Sequence, residues 1–124
     1  PATDNSMSFP SMDQFAYAPW SKSANGHMWN LYLRGCTGKQ VMKYAVPLKC
    51  RQFKGLPDAY VEVAEIDVLR DEGIQYANRL KRVGVPVQLH VMKGAYHGFD
   101  SNYDVPMTLR ALDNRLTFIR ERIK

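Results

Sequence analysis

The chain has 124 residues, enough for one ordinary globular domain. Hydrophobic residues at 45% and charged residues at 23% exclude a disordered, collagen-like or disulfide-dense chain, and no apolar run nears the roughly 18 residues that a membrane span needs. The formal net charge is +5, but the basic residues are spread along the chain: the densest run, Arg110, Arg115, Arg120, Arg122 and Lys124, is diluted by Asp113 and Glu121 and reads as a solvated helix face, not a nucleic-acid surface.

The start, Pro1 to Ser6, has neither a basic n-region nor an apolar h-region, so no signal peptide is expected and a cytoplasmic location is. An initiator Met is absent, and the chain is expected to begin partway into a longer protein. Cys36 and Cys50 are expected as free thiols, with a disulfide left open. His27, His90 and His97 stand far apart, without ligand-spaced partners, so neither metal nor cofactor is expected.

Residues 1–55 are irregular and rich in turn formers, aromatics and Met. Pro10 and Pro19 bracket a short helix with Ser11 as N-cap and Met12, Phe15 and Tyr17 as apolar content. Ser21 or Ser23 caps a second helix carrying Met28, Trp29, Leu31, Tyr32 and Leu33, stopped at Gly35. Residues 36–55, punctuated by Gly38, Pro47 and Gly55, read mostly as loop.

The second half is more regular. Ala59 to Ile66 is rich in β-formers and follows Pro57-Asp58, which marks a strand. A helix from about Asp71 to Val83 follows, with Asp71 and Glu72 at its positive end, Lys81 and Arg82 at its negative end, and Ile74, Ala77 and Leu80 on one face. Gly84 and Pro86 stop it. Val87 to Met92 is a second strand, Lys93 to Asp104 a loop, and Pro106 opens a terminal helix in which Leu109, Leu112, Leu116, Ile119 and Ile123 predict one buried stripe. Two strands joined by a helix should run parallel, and a parallel pair normally belongs to a larger sheet.

In open α/β sheets, functional groups gather at the carboxyl ends of the strands. Asp67 ends the first strand and His97 follows the second, 30 residues on, so parallel strands deliver both to one edge. A carboxylate beside an imidazole fixes its tautomer and stabilises the imidazolium formed when it accepts a proton. Asp67 as a helix cap and His97 as a loop histidine are the alternatives left open by spacing alone.

Leu56-Pro57-Asp58-Ala59-Tyr60, then Ala64-Glu65-Ile66-Asp67-Val68-Leu69-Arg70-Asp71-Glu72-Gly73, then Tyr96-His97-Gly98-Phe99-Asp100 resemble the C-terminal portion of the hormone-sensitive-lipase-like esterases, which are α/β-hydrolases. Val68 stands where that family usually has Pro. The resemblance implies an α/β fold: parallel strands with a crossover helix and a terminal helix over 56–124, preceded by a cap-like helical segment over 1–55. It implies hydrolysis of short-chain acyl esters by a Ser–Asp–His triad, with Asp67 as the acid and His97 as the general base. No Gly-x-Ser-x-Gly elbow and no His-Gly-Gly oxyanion segment occur in the sequence. Both are expected on an N-terminal partner segment preceding Pro1, which itself matches the end of a family strand, and this chain alone is expected to be inactive. Met12, Phe15, Tyr17, Trp20, Leu69 and Phe99 are the candidates to line the substrate pocket. The first strand should expose an edge that seeks a complementary segment, a second copy or a swapped strand. A peptidase or dienelactone-type hydrolase, and an inactive hydrolase-like binding module, are the competing readings.

Overall fold

A computed structural model describes residues 3–36 and 38–123, so the expectation for Pro1 lies outside the described residues. The elements run α1 (Pro10–Gln14), α2 (Lys22–Tyr32), α3 (Lys39–Ala45), a 3-10 turn at Pro47–Lys49, β1 (Ala59–Ile66), α4 (Arg70–Arg82), β2 (Val87–Tyr96), a 3-10 turn at Phe99–Ser101, and α5 (Pro106–Arg120). β1 and β2 form a two-stranded parallel sheet joined through α4. No helix among the described residues is long and apolar enough to cross a membrane.

The sheet is in simple register from Ala59 opposite Val87 to Ala64 opposite Met92, and then shifts so that Ile66 faces Tyr96. β2 therefore spends two more residues than β1 over this step. Gly94 supplies the positive φ of 72° that the irregularity requires, and its N–H donates to the Glu65 carboxylate at 2.7 Å. β2 consequently runs to Tyr96, past the Met92 at which the alternation of the sequence stops.

α4 approaches β1 closely at Gly73. Ala77 and Leu80 are fully buried, and a Cβ on Gly73 would stand 2.6 Å from Val63 Cγ1. Three apolar clusters hold the chain together. Phe9, Met12 and Leu48 enclose Val68; Ala64, Ala95, Phe99 and Ala111 join the sheet to α5; Phe53, Leu80 and Val85 close the far end of α4. Val68 is thereby fully buried in an apolar environment.

Several expectations are corrected. Ser11 does not cap α1: Pro10 occupies the first turn, Phe9 is the N-cap, and Ser11 lies fully buried inside the helix. Of the two serines considered for α2, Ser21 is the cap, accepting from the Ala24 N–H at 3.0 Å. The 36–55 stretch holds α3 and a 3-10 turn, since Val46 and Leu48 find buried sites that a loop reading does not foresee. Most of the expected stripe of α5 is uncovered in this chain: Leu109, Leu116, Ile119 and Ile123 are exposed and Leu112 is half-buried, while Thr108 and Ala111 are buried. The small residues permit close approach to the sheet, and the Arg115 guanidinium fixes the rotation of the helix by bridging Glu62 on β1 and Asp100 in the turn after β2.

The contact between Gly73 and Val63 gives a direct check. Gly73→Ala should destabilise the chain by about 1–3 kcal/mol in urea unfolding, and Val63→Ala in the same chain should recover part of that loss. Gly26→Ala, in the exposed face of α2 where nothing stands within 4 Å of the new Cβ, should instead stabilise by about 0.5–1 kcal/mol.

Candidate active site

Asp67 follows the last residue of β1 and His97 the last residue of β2, and the shifted register sets these two positions side by side. His97 Nδ1 lies 2.8 Å from Asp67 Oδ2. Because a carboxylate only accepts, Nδ1 carries the proton and Nε2 is left with its lone pair directed away from Asp67. The other Asp67 oxygen accepts from the Leu69 N–H at 2.9 Å, a turn that starts α4 and holds the carboxylate in one orientation. Asp67 is 5% exposed. The His97 side chain remains 40% exposed and so is accessible to a reactant. Gly98, at φ 76°, turns the chain sharply after His97.

The Trp20 indole stacks on the His97 ring, with centroids 5.3 Å apart and planes 22° apart. Trp20 Nε1 donates to Asn25 Oδ1 at 3.3 Å, so buried Asn25 on α2 fixes the indole. A cavity of about 300 Å³ opens here, lined by Asp67, Leu69, His97 and Phe99.

The loop carrying Asp67 is clamped by α1. The Ser11 hydroxyl donates to the Val68 carbonyl at 3.0 Å and accepts from the Asp71 N–H at 3.3 Å, while the Ser11 N–H donates to the Asp71 carboxylate at 2.8 Å. Arg70 adds bonds to Asp71, to the Glu65 carbonyl and to the Gln14 side chain, with its guanidinium over the Phe15 ring. Burial pushes the Asp71 carboxyl up, but the Arg70 guanidinium and the Ser11 N–H outweigh it and hold it below the usual range. On the other side, the Glu62–Arg115–Asp100 bridge anchors the turn that follows His97. The Glu62 carboxylate there raises Arg115, and burial together with Glu62 raises the Tyr60 phenol.

The pocket candidates separate into three groups. Trp20, Leu69 and Phe99 border His97 or the cavity. Met12 is a core residue at 6% exposure, and Phe15 packs under Arg70. Tyr17 projects into solvent at 99% exposure, because α1 ends at Gln14 and the chain turns away. Ser11, Asn25, Glu65 and Arg115 carry no local sequence signal, since their partners are mostly far away in the chain. Asp100, without a clear role in the sequence, is the second anchor of Arg115. His27 is exposed, His90 stacks on Tyr60, and Cys36 and Cys50 are free.

Glu72 sits behind Asp67, fully buried on α4. Its Oε1 accepts from the Thr3 N–H at 2.8 Å, and its Oε2 has no partner among the described residues. Burial raises its carboxyl to about 7, with further upward pressure from Asp4 and Asp67. The native chain therefore holds this proton where the unfolded chain releases it. Stability should be complete below about pH 4.5 and fall as pH rises toward about 7, by on the order of 2–3 kcal/mol. Glu72→Gln should flatten that dependence in urea unfolding measured at a series of pH values. A second measurement reads the Asp67–His97 contact: a far-downfield imidazole N–H proton resonance is expected from the native chain and should vanish in Asp67→Asn.

Comparison with known proteins bears on the family and the fold. The sequence pattern of the alpha/beta hydrolase fold matches residues 1–101. The chain is similar to lipase 2 of Moraxella sp. (strain TA144), 29% identical over 119 residues covering 96% of this chain and 27% of that protein. It is similar to arylacetamide deacetylase of Bos taurus, 29% identical over 127 residues covering 91% of this chain and 32% of that protein. Among solved structures, a bacterial heroin esterase superposes with a TM-score of 0.91 at 34% identity, covering all of this chain and 41% of the other. Esterase LipW from Mycobacterium marinum superposes at 0.81 and 34% identity, covering 90% and 35%. The chain thus spans about a third of the length of the curated relatives it matches. With two parallel strands delivering a carboxylate and an imidazole to one edge, and a family pattern covering most of its length, the chain belongs to the α/β-hydrolase fold family.

Proposed function

We propose that this chain supplies the acid and the general base of a carboxylic ester hydrolase, Asp67 and His97, and that a serine on an N-terminal part of the same hydrolase supplies the nucleophile. The observation carrying this reading is the 2.8 Å bond from His97 Nδ1 to Asp67, which leaves Nε2 on an exposed edge as an available base. The names of the similar proteins, among them a lipase, a deacetylase and esterases, support ester hydrolysis as the reaction class.

None of the chain's own serines serves as the attacking group. Ser11 is buried and committed to Val68 and Asp71, Ser21 caps α2, and no hydroxyl among the described residues bonds to His97. The nucleophile and the oxyanion-hole amides then come from a segment bearing Gly-x-Ser-x-Gly, seated beside β1. The serine oxygen bonds to the acyl carbon as its proton passes to His97 Nε2. The tetrahedral species collapses, the ester C–O bond breaks, and His97 protonates the departing alkoxide. Water attacks the acyl-enzyme by the same route, releasing the carboxylic acid and restoring the serine. Asp67 keeps the ring oriented and offsets the imidazolium charge, and the Trp20 face confines the ring from the side of residues 1–55, which act as the cap. Short-chain acyl esters are the proposed substrates.

The test is hydrolysis of p-nitrophenyl acetate and butyrate. The chain alone should give background turnover, and mixing or co-expression with an N-terminal segment carrying Gly-x-Ser-x-Gly should produce activity. In that complex Asp67→Asn should lower kcat by about 10³–10⁴-fold and His97→Ala should remove most of the remaining rate. Turnover by the isolated chain that disappears when one of its own serines is replaced would overturn the proposal.

A further inference from the structure

A second concavity lies away from Asp67 and His97. It is an open trough of about 1180 Å³ formed by α3, the 3-10 turn after it and the segment leading to β1, and its lining shares only Tyr76 with the cavity at the catalytic pair. Four cations stand around it, Lys43, Lys49, Arg51 and Lys54, and no carboxylate lines it. None of the four forms an ion pair among the described residues. Between them the lining is apolar and aromatic: Met42, Pro47, Phe53 and Tyr76, with the Phe53 and Tyr76 rings in edge contact at 5.9 Å.

This trough is the centre of a segregation of charge along the chain. Residues 14–57 carry seven lysines and arginines and not one aspartate or glutamate, whereas the remainder carries ten cations and 12 carboxylates. The excess positive charge therefore resides entirely on the N-terminal helical segment. An apolar protein surface does not cover such a trough, because burying four unpaired cations is prohibitively costly. A bare inorganic anion would use the rim and leave the apolar floor in water. A neutral lipid would use the floor and leave the rim unsatisfied. The ligand that satisfies both has an anionic head and an alkyl tail.

We infer that the trough is a binding site for a single amphiphilic anion, with its alkyl chain along Phe53 and Tyr76 and its charged head among Lys43, Lys49, Arg51 and Lys54. The concave shape suits one molecule lying in it, not a flat bilayer. The site stands apart from the hydrolytic reading, since occupancy needs neither His97 nor Asp67.

Titration of the isotope-labelled chain with monomeric dodecanoate, followed by amide NMR, tests this. Saturable shifts should concentrate at residues 42–56 and weaken as salt is raised. Dodecanol and acetate, each lacking one half of the ligand, should bind at least tenfold more weakly. Lys49→Glu with Arg51→Glu should weaken dodecanoate about tenfold or more while leaving the remaining spectrum in place. If the double reversal perturbs folding, Lys49→Gln with Arg51→Gln and the salt series give the same reading. His97→Ala should bind dodecanoate unchanged, which separates failure of this site from failure of the hydrolase proposal. Equal affinity for dodecanol, indifference to charge reversal, shifts centred on Trp20 and His97, or binding only to anionic phospholipid vesicles would each overturn the inference.

Discussion

The irregular step between β1 and β2 is the constraint on which the site depends. Continued simple pairing from Ala64 opposite Met92 would set Asp67 opposite Ala95 and carry His97 two residues beyond the edge. The two extra residues of β2 instead leave Ile66 facing Tyr96, so the next residue on each strand is Asp67 and His97. Gly94 makes the step sterically possible and Glu65 binds its freed N–H. A local backbone device thereby produces the 2.8 Å contact that orients the imidazole.

Around that contact the structure places two braces that approach from opposite sides. On the acid side, α1 inserts Ser11 into the first turn of α4 and shares an apolar cluster with Val68, so the N-terminal helical segment and the loop bearing Asp67 are packed as one unit. On the base side, Arg115 ties the turn after His97 to β1 through Asp100 and Glu62. Displacement of either brace moves one partner of a hydrogen bond whose strength falls steeply with distance and angle. The Trp20 ring, fixed through Asn25, completes the enclosure.

Electrostatics divides the molecule differently from its packing. The carboxylates concentrate at the sheet and α4, where Glu72 stays buried without a full set of partners among the described residues, while residues 14–57 carry cations and no carboxylate. The hydrolytic pair and the cationic trough lie on either side of Tyr76. Two chemically different environments, a carboxylate–imidazole pair and a cationic trough, thus occupy a chain of 124 residues.

By itself, the sequence determined the elements that local chemistry dictates. These are β1 from its run of β-formers, α4 from its charged ends and Gly84 stop, the start of α5 at Pro106, and the delivery of Asp67 and His97 to a common edge through a helix of the right length. What it left undecided depends on residues distant in the chain. The rotation of the Leu109–Ile123 stripe follows from Arg115 finding Glu62 and Asp100. The burial of Ser11 follows from Asp71, 60 residues away, and the helical character of 39–49 from buried sites for Val46 and Leu48. Periodicity reports which residues could share a face, but only tertiary packing decides which face is covered, because burial energy depends on the partner surface as much as on the helix.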